Sequence, residues 1–451
     1  MSTFAVAGYE VRRLLRDRAL PALLALLLGL SGYAGWNGAD WVRQRNAAID
    51  LVKAEEQKGI EFVRRIAEKT PVVTSRWHPV LPAGSMAPLS IGQAEAYPFA
   101  ADIMVMAGSQ IFTRGSADIG NPTVRAAGRF DLAFVIVFLL PLVILAATYD
   151  LWSRERERGV AAVALSQPVA VGSLIAVKAL ARGSMVLLPS ASIILMVTAW
   201  AGAREPAGLM ALALAVVTYG SFWLAVAVIV NFFARRSTEA AIAAGAIWLA
   251  VVVMVPALTL AIVDLVAPPP SEMRFATELK ARSTEIRDRQ RLYRVAHPTP
   301  VRTPAPEIPD RMRDAFADAI AADRELEPMI EAHRQEKDAR RHLLDKVRFL
   351  LPSVALQDAL DRIAGSDADR ALAFQDQALK FKAESQLWTR ERLGRDAPLT
   401  PAEFDQAPRF QFREPDGVFQ AGMLADFAVL VIATVLILFA ARAVRGQAAT
   451  P

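Results

Sequence analysis

Six stretches of the chain are apolar for long enough to cross a lipid bilayer, and that constrains the fold before anything else. They cover Ala19 to about Trp36, then about 130–149, 184–201, 209–231, 239–266 and 418–440. A helix rises about 1.5 Å per residue, so roughly 20 residues match the ~30 Å hydrocarbon core. Inside hydrocarbon every backbone N–H and C=O needs a partner within the segment, which favours helices for separate runs of this length. Hydrophobic residues make up 54% of the chain and sit in blocks rather than alternating. The expectation is an all-α polytopic integral membrane protein with six transmembrane helices. A cleavable signal peptide is the alternative for the first run, but that run exceeds the ~7–15-residue apolar core of such signals.

Positive charge orients the helices. Arg12, Arg13, Arg16 and Arg18 precede the first run. Arg154, Arg156, Arg158, Lys178 and Arg182 follow the second, Arg235 and Arg236 follow the fourth, and Arg442 and Arg445 close the tail. The opposite hairpin, 202–208, carries only Arg204. The positive-inside bias then predicts both termini in the cytoplasm. A net charge of +5 suggests nucleic acid in a soluble chain, but here the excess lies beside the apolar runs, so nucleic acid is not expected.

The resulting division is a cytoplasmic N-terminus and first helix (1–36), an extracytoplasmic segment (37–129), and helices two to five (130–266) with a cytoplasmic loop at 150–182. An extracytoplasmic domain (267–417) and a sixth helix with its cytoplasmic tail (418–451) complete it. Segment 37–129 opens with a helix whose Val42, Ile49, Val52, Val63 and Ile66 share a face, then turns Pro/Gly-rich from Pro71 to Pro98. Domain 267–417 holds 26 basic and 27 acidic residues, a near-neutral surface suited to water. Its periodicity is helical, with stripes at Phe275, Leu279, Ile286 and Tyr293, and at Met312, Phe316, Ile320, Leu326 and Ile330. A third stripe, Ala371, Phe374, Ala378, Phe381, Ser385 and Trp388, alternates steps of three and four like a coiled-coil seam. Gly365-Ser366-Asp367-Ala368-Asp369 reads as a helix stop followed by a capping Ser366 with Asp369 three residues on. Pro298 to Pro309 is a proline-rich connector. These features predict a small antiparallel helical bundle able to fold as a separate soluble fragment, about 272–415.

Several chemistries are excluded or disfavoured. No Gly-x-x-x-x-Gly-Lys-Ser/Thr loop occurs, so the chain is not its own ATPase. There is no cysteine, and His78, His297, His333 and His342 form no metal-ligand spacing. Asp131, Asp264 and Asp426 fall near the outer ends of their helices, where interfacial anchoring is the plain reading; Asp426 is the deepest. Pro141, Pro189 and Pro256 are either hinges or static kinks.

The densest motif begins at Gly128-Arg129-Phe130-Asp131, crosses the second run with Pro141-Leu142 at mid-helix, and leaves through Tyr149-Asp150. It continues as Arg154-Glu155-Arg156-Glu157-Arg158-Gly159 and, after Ala164-Leu165-Ser166, Gln167-Pro168. Arginines alone would serve as a positive-inside anchor; the interleaved Glu155 and Glu157 add nothing to topology. This wording resembles the permease subunits of type-2 ABC transporters, specifically a branch with a large extracytoplasmic domain before the last helix. It is good over about 110–182, fair over about 350–390, and architectural elsewhere.

The resemblance implies a transmembrane permease, an exporter, working as a homodimer or beside a sister permease in membrane lipid. A separate ATPase subunit would carry ATP and Mg, leaving this chain without a bound cofactor. Residues 154–159 with Gln167 and Pro168 would pass the ATPase's motion to the helices. The rival reading is a non-transporting membrane scaffold or sensor whose outer domain binds a partner.

Overall fold

A computed structural model describes residues 3–16, 18–68, 71–72, 76–105, 130–166, 171–298, 306–400, 403–415 and 418–444. Helix α1 (Thr3–Arg16) is amphipathic and precedes α2 (Ala19–Ala67), a single 49-residue helix. The sequence reading ended the first membrane helix near Trp36, but the chain has no breaker there and stays helical for some thirty residues more. A two-residue antiparallel pair, β1 (Arg76–Trp77) and β2 (Ile103–Met104), ties down the irregular segment that follows.

The second membrane helix, α3, comprises Leu132–Phe134, a π-helical turn Val135–Leu139, and Leu140–Thr148. Two short helices follow, α4 (Ser153–Glu157) and α5 (Val160–Leu165). Then come α6 (Val171–Trp200), α7 (Pro206–Phe233) and α8, the last made of Ser237–Trp248, a π turn Leu249–Met254 and Val255–Val266. The polar module contains α9 (Glu272–Ala296), α10 (Asp310–Arg348), α11 (Pro352–Ala364) and α12 (Ala368–Arg395). Helix α13 (Val418–Val444) ends the chain's described part. Six helices are long and apolar enough to span a membrane, so the chain is an all-α polytopic membrane protein.

Helices α3 and α7 form the centre of the membrane bundle. About 61% of the apolar window of α3 is buried within the chain, against 11% in α8 and 17% in α13, which are left peripheral. The prolines of α3 and α8 each follow a π turn. A proline lacks the N–H that would occupy a carbonyl one turn earlier, and such a carbonyl needs another donor. Tyr219 Oη donates to Val137 O at 3.0 Å, four residues before Pro141. Ser353 Oγ donates to Val251 O at 3.1 Å, five residues before Pro256. Both kinks are thereby held by side chains from other helices, which favours the static reading over the hinge at these two positions.

The module is not the self-contained bundle that its charge suggested. Leu356, Leu360, Ile363 and Ala364 of α11 belong to the same apolar cluster as α3, α6, α7 and α13. The α12 seam does bury Ala371, Phe374, Ala378, Phe381 and Ser385. Among the described residues, however, its partners do not form a second coiled-coil helix. Its partners are Ile60 of α2, Trp77, Leu81, Phe99, Ala101 and Ile103 from the irregular segment, and Phe410 and Phe412. The middle stripe divides in two: Met312, Phe316 and Ile320 pack with Leu393, while Leu326 and Ile330 pack with Leu279 and Ile286. Tyr293 is 64% exposed and contributes nothing to its stripe.

Gly365 stops α11 at φ 70°, as expected, but the cap of α12 is one residue later than expected. Asp367 Oδ1 accepts from Arg370 N at 3.1 Å, whereas Ser366 Oγ donates back to Asp361 O. Asp131 is likewise a cap rather than an interfacial anchor. It is 5% exposed and accepts from Phe134 N (2.8 Å) and Ile91 N (2.9 Å), joining α3 to the irregular segment. Asp426 is fully buried, 3.7 Å from Arg362 Nε and 3.8 Å from Arg348 Nε, and so also departs from the anchoring reading.

Candidate functional site

The charged turn between α3 and α6 is attached to every element around it. Its backbone is set by Asn231, a wholly buried amide near the end of α7. Asn231 Oδ1 accepts from Trp152 N (2.9 Å) and Ser153 N (3.1 Å), while Nδ2 donates to Ala227 O (2.8 Å) and Thr148 O (3.4 Å). One side chain thus serves the end of α3 and the orphan donors at the start of α4. Trp152, also fully buried, packs with Ala161, Ile175, Phe232 and Ala441, so α5, α6, α7 and α13 meet at its ring.

The alternating charges that follow have partners inside the chain. Arg156 Nη1 donates to the terminal carbonyls of α7, Ala234 O at 3.2 Å and Phe232 O at 3.4 Å. Glu157 accepts from Ser237 N at 3.0 Å and from its hydroxyl, at the N-terminus of α8. A cation at a helix C-terminus and an anion at an N-terminus each match the partial charge of the helix end they face. The Arg-Glu pair therefore fits the polarity of two successive membrane helices, and this accounts for the interleaving that topology left unexplained.

A second set of contacts reaches the N-terminal helix. Arg182 Nε donates to Glu10 Oε2 at 2.8 Å, and its Nη1 donates to Asp150. Asp150 also pairs with Arg154 at 2.7 Å, and Lys178 pairs with Glu155 while lying 3.8 Å from Glu10. Glu10 is 1% exposed, Arg182 3% and Lys178 5%. Such a buried network gains little overall against desolvation, but deleting one member strands the others, at a cost of roughly 3–5 kcal/mol. It fixes α1, α4 and α6 to one another.

Compared with the sequence reading, α6 begins at Val171. Lys178 and Arg182 therefore lie in its first turns, and the connection is shorter than the loop 150–182 expected. Glu155 and Glu157, two of the residues expected to pass on the ATPase's motion, have partners within the chain, Lys178 and Ser237. Among the described residues the exposed ones here are Glu157, Arg158, Gly159, Val160 (51% exposed), Ala162, Val163 (64%) and Ser166, with Arg154 partly so. Phe130 packs on Tyr33 and Phe134, its carbonyl accepting from Asn37, and Tyr149 continues α3 into the turn. Gly128, Arg129, Gln167 and Pro168 lie outside the described residues. The sequence reading missed Glu10, Asn231 and Ser237. Two of them carried a signal: an acid on the apolar face of an amphipathic helix, and an amide inside an apolar run.

The family described as "ABC-2 family transporter protein" matches residues 4–445, from the second residue of α1 to the end of α13. No curated protein matches the chain. With six membrane-spanning helices and a match over nearly its whole length, the chain belongs to the ABC-2 family, as a permease subunit of an ABC transporter.

Proposed function

We propose that this permease is an exporter driven by a separate ATPase subunit, which docks on the face formed by α1, α4 and α5. The carrying observation is mechanical: the turn 150–159 is joined by buried contacts to α6 and α7, through Arg182 of α6 to Glu10 of α1, and by exposed hydrogen bonds to the start of α8, so a push there is shared by four elements. Within that turn, Arg154 to Gly159 divide the work. Glu155, Arg156 and Glu157 hold the turn to the bundle, while Arg158, Val160 and Val163 face outward for the partner. Gln167 and Pro168 belong to the same connection. ATP and Mg bind on the partner. The arginine bias supports this face and both termini lying in the cytoplasm and the module outside, in a bacterial inner membrane. The peripheral α8 and α13 suit a second copy or a sister permease, as well as lipid.

The chain lacks cysteine, so single cysteines report cleanly. Val163→Cys should cross-link to the ATPase and be labelled from the cytoplasm, while Ala332→Cys should be labelled from outside. Val163→Asp should abolish ATPase co-purification with the permease still folded and inserted. Normal co-purification and turnover by Val163→Asp would remove this face as the docking site.

A further inference from the structure

Where α2, the irregular segment and the α11–α12 turn meet, they form a small, partly open cleft. Its walls include Trp41, Arg45, Tyr97, Asp367 and Arg370. The two arginines differ in kind. Arg370 is saturated: Nε and Nη2 donate to Glu414 at 2.9 and 2.7 Å, and Nη1 to Pro82 O and Gly365 O at 3.0 and 3.1 Å. Arg45 is held only by aromatic faces, 4.3 Å from the Phe99 centroid and 5.7 Å from that of Trp41. Among the described residues it has no ion pair, and its buried Nε has no hydrogen bond. Glu95 is near enough to attract it, but that carboxylate takes a hydrogen bond from Trp41 Nε1 at 3.0 Å.

An unused acceptor lines the same cleft. Asp367 is 4% exposed, and while Oδ1 caps α12, Oδ2 is buried with no hydrogen-bond partner. Leaving Arg45 Nε and Asp367 Oδ2 without hydrogen bonds around one cleft is unfavourable unless something bridges them. A bare anion would satisfy Arg45 and be repelled by Asp367, and a bare cation would meet the reverse. We propose that this cleft binds a small zwitterion, its acid group on Arg45 and its ammonium on Asp367, with Tyr97 and Trp41 as walls. The chemistry is shared by a free amino acid and by the phosphoethanolamine headgroup of a lipid. The assignment is independent of the transport reading.

The test uses the full chain in nanodiscs, following tryptophan fluorescence, for which Trp41 is an internal reporter, and thermal unfolding. Glycine or O-phosphoethanolamine should shift both signals saturably, while acetate and ethanolamine at equal concentration should not. Arg45→Gln and Asp367→Asn should each weaken binding at least tenfold; asparagine keeps the cap, so the second variant retains the helix start. A response to glycine alone identifies a free amino acid. Stabilisation by phosphatidylethanolamine over phosphatidylcholine, with no response to glycine, identifies the headgroup. Equal responses to all four small probes, no response to any probe or lipid, or unchanged affinity in both variants would overturn the proposal.

Discussion

The module contains two regions with opposite designs. The distal hairpin, α9 and α10, is held by a thin apolar seam around Leu279, Ile286, Ala322 and Leu326 and by exposed ion pairs such as Arg282–Glu325. The proximal wedge, α11 with the start of α12, inserts its leucines among the membrane helices. It joins the buried Arg362 and Asp426 to the half-buried Asp358 and Asp369 in a connected ionic network. The hairpin resembles a soluble protein that happens to be attached. The wedge is part of the membrane domain, although its sequence lies between two connectors. The difference shows that charge balance over a segment tells where its surface is, not where its core is.

The largest expected effect comes from reversing the wedge's apolar face. Leu356→Ser with Leu360→Ser should abolish folding of the intact permease, because both side chains are fully buried in the apolar cluster shared with the membrane helices and each loses about 2–5 kcal/mol. The same pair should make an isolated 272–415 fragment more soluble, since there the face has nothing to cover it. Size-exclusion chromatography of both proteins reads the opposite signs. Equal behaviour in both contexts would show the wedge to be an ordinary module helix.

Next in size is Arg362→Ala. It leaves Asp358, Asp369 and Asp426 short of a cation and should cost roughly 3–5 kcal/mol, visible as a large fall in thermal midpoint in detergent. Arg348→Ala should couple non-additively with it, because both arginines face Asp358 and Asp426.

A smaller effect separates the two regions by pH. Burial raises Asp361 of the wedge to about 8, with the charges of Asp131 and Asp358 adding to it and hydrogen bonds from Ser90 and Gln357 opposing. A carboxylate raised above its unfolded value near 3.9 contributes stability that is full below that value and lost as pH rises through about 8. In the hairpin, Glu325 is lowered by its hydrogen bond from Arg289, so its contribution is present above the unfolded value and lost as pH falls through the lowered one. Asp361→Asn should therefore flatten the decline between pH 5 and 9, and Glu325→Gln should not. Parallel melting curves for Asp361→Asn and the parent across that range would contradict the assignment. The smallest effect is Arg282→Ala, about 0–1 kcal/mol and further reduced by salt.

The membrane architecture was legible because bilayer thickness turns apolar length directly into helix count. Of the module's helices, α9, α10 and α12 were also visible in their period, and α11 only through its stop at Gly365. What the sequence could not give was which surface each stripe meets. The α12 seam had coiled-coil spacing, yet it packs on aromatic residues from Trp77 to Phe412, because a row of small and aromatic side chains accepts any complementary apolar strip. The cap was displaced by one residue because Ser366 and Asp367 are both competent, and Ser366 is drawn to the carbonyl of Asp361. At the charged turn, local wording marked the place but not the wiring. Glu10 and Arg182 are 172 positions apart, and nothing local to either names the other.

The unbroken helix from Ala19 to Ala67 also carries a mechanical meaning. At 1.5 Å per residue its 49 residues form a rod on the order of 70 Å long, rooted beside α1 and ending against the module. Pivoted at its base, a rod of that length converts a tilt of about 5° into roughly 6 Å of travel at its tip. Leverage of this kind needs no flexible linker: a sub-ångström adjustment near Leu20 would arrive, magnified, at the far side of the membrane.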